Sequence, residues 1–317
     1  MKFLKRVLLM ALALGLLSVP VQTAWAAKYK VGFCVMTLAF TWMQYSYRAI
    51  LEEAKKYPEI ELIVQDAQMS PERQVAICEN FIAMGVDAII TDPLDVTTLI
   101  PTMEKAKEAG IAFVTFDRRA FGAPYLFHVG CDDVFGGRLA AEYIAAKLNG
   151  EGRIVYISGQ VGSSPAINRD RGFKEQLAHY PKLKIVYEQS GQFLREEGLR
   201  VMEDAIVATG GKFDAVFCAN DDSALGAIQA MKAAGIDLDK VIVVGCDGVP
   251  DALRAILAGE LDASIQYPVA MASIAMRQLA EYLIYGKMPA VIDYDILPWL
   301  IVKANIETGD FYPEITK

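Results

Sequence analysis

The period of the apolar residues switches back and forth along this chain, and that switch limits what it can fold into. Short runs rich in β-branched and aromatic residues, at 31–35, 61–65, 88–91 and 112–116, alternate with helical-period stretches at 42–56, 71–84 and 96–109. A second series follows Asp132, with helices at 134–148, 166–179, 196–208, 223–234 and 250–258 and strands at 153–158, 184–188, 215–219 and 241–245. A strand that returns through a helix pairs parallel to its predecessor, and a strand buried on both faces reads as a continuous apolar run. The pattern therefore predicts two α/β halves, each a parallel sheet covered by helices on both sides. No low-complexity linker divides them, so the first connection is expected to be a short hinge near Gly130 and Cys131. In such sheets ligands bind beyond the carboxyl ends of the strands, which singles out the polar residues that close the apolar runs: Asp117, Arg118, Asn220 and Asp247.

The N-terminus sets the expected compartment. Lys2, Lys5 and Arg6 precede an apolar stretch at 7–17, and Ala24-Trp25-Ala26 fits the small-x-small pattern of a signal-peptide cleavage site. The apolar stretch stops at Ser18 and Pro20, short of the roughly 20 residues needed to cross a bilayer. A signal peptide at 1–26, cleaved after Ala26, is expected, with export to the periplasm. The first cysteine is Cys34, so no lipid-anchored mature terminus is expected. The chain holds 31 basic and 39 acidic residues. Loss of the three basic residues of the leader leaves 28 against 39, a formal charge of −11. Phosphate backbones call for clustered Lys and Arg, so nucleic acid is excluded as a partner.

Enzymatic chemistry finds little support. His128 and His179 are the only histidines, one in a strand-like run and one near a helix end, where structural or exposed roles are expected. There is no Gly-x-Ser-x-Gly elbow, no His-Glu-x-x-His helix and no Gly-x-Gly-x-x-Gly after the first strand, and the Gly159–Ser164 turn lacks the Gly-Lys-Ser/Thr ending of a phosphate loop. Cys34, Cys78, Cys131, Cys218 and Cys246 are odd in number, widely spaced and set mostly in apolar runs without metal-ligand spacing. They read as buried, unpaired thiols. No catalytic residue, metal or cofactor is expected.

Four segments carry a family resemblance: Phe116-Asp117-Arg118; His128-Val129-Gly130-Cys131-Asp132-Asp133 with Gly136-Gly137; Ala219-Asn220-Asp221-Asp222-Ser223-Ala224-Leu225-Gly226-Ala227; and Val244-Gly245-Cys246-Asp247-Gly248-Val249-Pro250-Asp251. In order and spacing, from about Tyr29 to about Ile301, the chain resembles periplasmic sugar-binding proteins of the ribose-binding type. The resemblance implies a class I binding-protein fold: two flavodoxin-like, doubly wound parallel-sheet lobes joined by a three-segment hinge, with later crossings near 264–267 and 295–298. It places the first lobe at 27–131 plus 266–296 and the second at 132–265 plus 297–317. It further implies a monomer that captures a monosaccharide or cyclic polyol between the lobes and delivers it to the permease and ATPase of an ABC-type importer. Docking of the closed form on a chemoreceptor or sensor kinase is the alternative.

Carried onto this sequence, the resemblance makes Asp117 and Arg118 ligand-binding in the first lobe and Arg169, Phe193, Asn220 and Asp247 in the second. Gln266 or its neighbour Tyr267 occupies the hinge position. A sugar presents hydroxyls that both donate and accept, which Asp, Asn and Arg can satisfy in a dry cleft. Asp117 with Arg118, and Arg169 with Asp247, are expected to offset one another's charge. In the first loop, Thr37-Leu38-Ala39-Phe40-Thr41-Trp42-Met43 stands where ribose-binding relatives commonly read Thr-Leu-Asn-Asn-Pro-Phe-Phe. Phe40 replaces an amide, Trp42 keeps an aromatic, and Met43 replaces a second aromatic, so ribose is not assigned. Competing roles remain. Asp132, Asp133 and Asp221 read as helix N-caps, Asp117, Asn220 and Asp247 could also be caps, Trp42 could be core, and one of Arg118 and Arg119 is expected to face solvent.

Overall fold

The computed structural model describes residues 28–306. The export signal expected at 1–26 lies outside this range, as does the end of the chain from 307 onward. The first series comprises β1 (Tyr29–Val35), α1 (Thr41–Ala54), β2 (Ile60–Asp66), α2 (Pro71–Ala83), β3 (Ala88–Thr91), α3 (Ile100–Glu108), β4 (Ala112–Asp117) and β5 (Phe127–Cys131). The second runs α4 (Asp133–Lys147), β6 (Glu151–Ser158), α5 (Ser164–Leu177), β7 (Lys182–Ser190), α6 (Arg195–Thr209), β8 (Ala215–Cys218), α7 (Asp221–Ala233), β9 (Ile242–Asp247), α8 (Pro250–Ala258) and β10 (Ala263–Gln266). After it come α9 (Ala270–Tyr285), β11 (Asp293–Ile296), β12 (Trp299–Val302) and α10 (Lys303–Ile306).

These strands form two six-stranded sheets of the same order, β2-β1-β3-β4-β5-β11 and β7-β6-β8-β9-β10-β12. Every pairing is parallel except that of β10 with β12. Each half is thus a doubly wound, flavodoxin-like lobe whose sixth strand comes from the end of the chain. The chain passes between the sheets three times: after β5, after β10 and between β11 and β12. Helix α9, which the apolar pattern did not single out, packs on α1, β4 and β5 of the first lobe.

The strands are buried as their composition requires; β3, β5, β8 and β10 are buried along their whole length. In the second lobe Tyr156, Phe173 and Phe217 stack with ring centroids 4.4–5.2 Å apart, and all five cysteines are buried and unpaired. Helices α4 and α5 touch backbone to backbone. A Cβ on Gly137 would stand 2.2 Å from the Arg169 carbonyl oxygen, and one on Gly172 would stand 2.0 Å from that of Val134. That contact fixes the height at which α5 presents Arg169. Helix α3 begins at Ile100, later than the expected 96. The Asp95 carboxylate explains the delay: it accepts from the Thr97 and Thr98 amides at 2.8 and 2.7 Å, holding 95–98 as a turn.

Candidate ligand-binding site

The carboxyl ends of the two sheets face each other across a small cavity of about 30 Å³. Its wall includes Phe40, Trp42, Asp117, Arg118, Arg169, Phe193, Asn220 and Asp247, together with Met36 and Pro165, which no motif singled out. Gln266 is not brought to this wall. It ends β10, is 8% exposed, and covers Gly248. Tyr267, its neighbour in the hinge position, stacks instead on Arg169, with the guanidinium carbon 3.8 Å from the ring centroid.

Strand ends aim the carboxylates. Asp117 closes β4 and Asp247 closes β9, and both adopt positive φ, 53° and 122°. Such backbone costs on the order of 1–3 kcal/mol for a residue with a Cβ and concentrates at functional sites. Asn220 is the N-cap of α7: its Oδ1 accepts from the Ser223 amide at 3.0 Å and its Nδ2 donates to the Phe193 carbonyl at 3.0 Å. One amide N–H remains for a cavity group. Phe193, itself at φ 62°, sets its ring against Gly159, where a Cβ would lie 2.1 Å away. Across the cleft the Phe40 ring meets it edge-on, 6.3 Å away at 80°, a favourable aromatic geometry. Trp42 serves packing and wall together, being 6% exposed and donating its indole N–H to the Tyr267 carbonyl at 2.9 Å. Met43 is buried away from the wall.

The arginines keep the expected carboxylates within ion-pair range, Asp117 beside Arg118 and Asp247 beside Arg169, and take closer partners besides. Arg169 donates Nε to Asp133 Oδ1 at 3.0 Å and Nη1 to the Ala219 carbonyl at 2.6 Å, with Asp247 farther off at 3.8 Å. Asp133 is therefore the buried counter-ion of Arg169 and not a helix cap; Asp132 caps α4 by accepting from the Phe135 amide at 2.9 Å. Arg118 donates Nη1 to Gln160 Oε1 at 2.8 Å and to the Leu94 carbonyl at 3.3 Å, while its Nε stands 3.7 Å from Asp92 and 3.9 Å from Asp117. Arg119 does not simply face solvent. It pairs with Asp293 at 2.5 Å and with Asp295 at 2.7 Å, both on β11.

Asp221 also departs from the cap reading. Fully buried, it accepts from the Gly248 and Val249 amides at 2.7 and 3.0 Å and from Ser264 Oγ at 2.7 Å, tying α7 to the turn after β9 and to β10. Burial raises the pKa of these carboxyls: to about 6 for Asp133, to about 7 for Asp221, and above the usual carboxylate range for Asp92, Asp117 and Asp247. The nearby guanidiniums pull in the opposite direction.

Further contacts hold the two lobes together around the cavity. The Thr41 amide and hydroxyl donate to Asp222 at 3.1 and 3.2 Å, the Val96 amide to the Gly162 carbonyl at 3.1 Å, and the Arg119 amide to Ser164 Oγ at 2.8 Å. The Gly159–Ser164 turn is thus a contact point between lobes. His128 is fully buried, with Nδ1 2.8 Å from Thr115 Oγ1. Among the described residues no His, Cys, Asp and Glu side chains group as a metal site, and no helix is long and apolar enough to cross a membrane.

Residues 31–288 match the family described as periplasmic binding protein domain. The chain is 36% identical over 273 residues to the galactofuranose-binding protein of Escherichia coli K12, covering 84% of this chain and 86% of that one. An ABC transporter solute binding protein from Bacillus halodurans C-125 with bound myo-inositol superposes with a TM-score of 0.83 at 34% identity, over 89% of this chain and 97% of that one. The fructose-binding periplasmic domain of a hybrid two-component system gives a TM-score of 0.82 at 27% identity, over 87% and 92%. The chain belongs to the periplasmic binding protein family, whose members are ligand carriers and not enzymes.

Proposed function

We propose that this periplasmic binding protein captures a monosaccharide or cyclic polyol between its lobes and delivers it to the permease and ATPase of an ABC-type importer. The observation that carries the reading is the composition of the cavity wall. Three aromatic side chains, Phe40, Trp42 and Phe193, face the same space as Asp117, Arg118, Arg169, Asn220 and Asp247. Ring faces suit the C–H surfaces of a sugar, and a set of carboxylates, guanidiniums and an amide can pair hydroxyls that must both donate and accept. Charge assistance makes each such bond worth about 1.5–3 kcal/mol in a site that excludes water. The similar proteins with galactofuranose, myo-inositol and fructose in their names support the ligand class.

In this reading the lobes span 27–131 plus 266–296 and 132–265 plus 297–317. The export signal is removed after Ala26, and the mature protein acts as a periplasmic monomer. Closing of the lobes over the ligand is the signal that the permease reads. The likeness to a periplasmic domain of a two-component system favours a second reader for the same closed form, a chemoreceptor or sensor kinase. A thermal-shift panel of pentoses, hexoses, deoxysugars, inositols and linear polyols on the mature chain tests the ligand class, because a ligand that binds only the native state raises Tm by mass action. A shift with at least one sugar or polyol is expected. Shifts with amino acids or nucleosides alone would overturn the reading.

A further inference from the structure

Four carboxylates and two guanidiniums share this cleft, and they do not pair off. In the second lobe Arg169 is taken by Asp133 at 3.0 Å and by the Ala219 carbonyl, which leaves Asp247 at 3.8 Å. In the first lobe Arg118 spends Nη1 on two neutral oxygens, those of Leu94 and Gln160. Asp92 and Asp117 stand 3.7 and 3.9 Å from its Nε. Asp92 is 1% exposed, and among the described residues neither of its carboxyl oxygens has a hydrogen-bond partner; the nearby Arg118 amide donates to the Phe116 carbonyl instead. Asp117 forms part of the cavity wall.

The shortage of positive charge is local. Asp221 is satisfied by two amides and a hydroxyl, and Asp222 by Thr41 and by Arg195 at 2.8 Å. The cleft therefore holds two more formal negative charges than positive ones, in surroundings that weaken hydration. A buried carboxylate without a counter-charge is costly, and compensation comes either as a proton on the carboxyl or as a cation on the bound molecule. An ammonium suits the first-lobe side of this wall. It brings three N–H donors, and its charge is attracted by carboxylates and by the faces of aromatic rings.

Resting on the reading that the cleft binds a ring polyol, we infer that its ligand carries one ammonium group, as an amino sugar or aminocyclitol does, seated against Asp117 with Asp92 behind it. The remaining hydroxyls face Asp247, Arg169 and Asn220 in the opposite lobe.

The test is calorimetric titration of the mature protein at neutral pH with matched pairs: myo-inositol and its monoamino analogue, D-galactose and D-galactosamine, D-glucose and D-glucosamine. At least one amine is expected to bind tenfold or more tightly than its neutral parent, and Asp92→Asn is expected to shrink that ratio. Neutral parents that bind as well as or better than their amines would overturn the inference while leaving polyol binding intact. An undiminished ratio in Asp92→Asn would overturn the part given to Asp92. No binding by any amine or parent would remove the reading on which both rest.

Discussion

At the scale of single residues, position along the strand separated what was legible from what was not. Asp117, Asn220 and Asp247 could be singled out because a strand end is visible in the sequence as the place where an apolar run stops, and the doubly wound topology turns strand ends into a cleft edge. The further partners of the arginines were hidden. Asp92 and Asp133 act through side chains far away in sequence, Arg118 and Arg169, and Asp133 lies beside the true cap, Asp132, so one residue of register decided between a capping and an ion-pairing role. The two roles differ in size. Asp133→Ala strands a buried guanidinium and should cost about 3–5 kcal/mol in denaturant unfolding, whereas Asp132→Ala removes a cap worth about 1 kcal/mol. Equal losses would contradict this assignment.

At the scale of elements, the alternation of strands and helices followed from apolar period, and the misplaced boundaries have local causes. Helix α3 starts late because the Asp95 side chain competes with the backbone for the Thr97 and Thr98 amides. Helix α9 escaped notice because it follows the region where the two repeating series end. Close helix contact makes a sharp prediction. Gly137→Ala places a methyl against the Arg169 carbonyl; overpacking should cost about 1–3 kcal/mol and, by shifting α5, weaken ligand binding, as urea unfolding and titration would show. The burial of Asp221 between α7, β9 and β10 predicts a pH dependence, which its hydrogen bonds to Ser264, Val249 and Gly248 reduce. Its folded pKa of about 7 lies above the unfolded value of about 3.9. The native state then holds the proton over that interval, so the stability from this group is full below about pH 4 and lost as pH rises through about 7. Between pH 5 and 7.5, Tm should fall more steeply with pH in the wild type than in Asp221→Asn; parallel profiles would contradict the raised pKa that burial gives Asp221.

At the scale of the whole molecule, two lobes of the same strand order meet over one cavity. What the sequence could not reveal is which loops close it, since the Gly159–Ser164 turn reaches the first lobe only through tertiary contact. Gln160 bonds Arg118 across the cleft without forming part of the cavity wall, so Gln160→Ala should act on closure. The dissociation rate measured by stopped flow is expected to rise about tenfold, one hydrogen bond to a charged group, with the association rate little changed. The central claim, that a sugar or polyol is bound between Asp117, Arg169 and Asp247, is tested most directly by calorimetric titration of wild type and Asp247→Ala with the compound that gives the largest thermal shift. One ligand per chain is predicted in the wild type. In the variant affinity should fall by about tenfold to a hundredfold or more, the value of a charged hydrogen bond and its stranded partner. Unchanged affinity in Asp247→Ala would contradict the account.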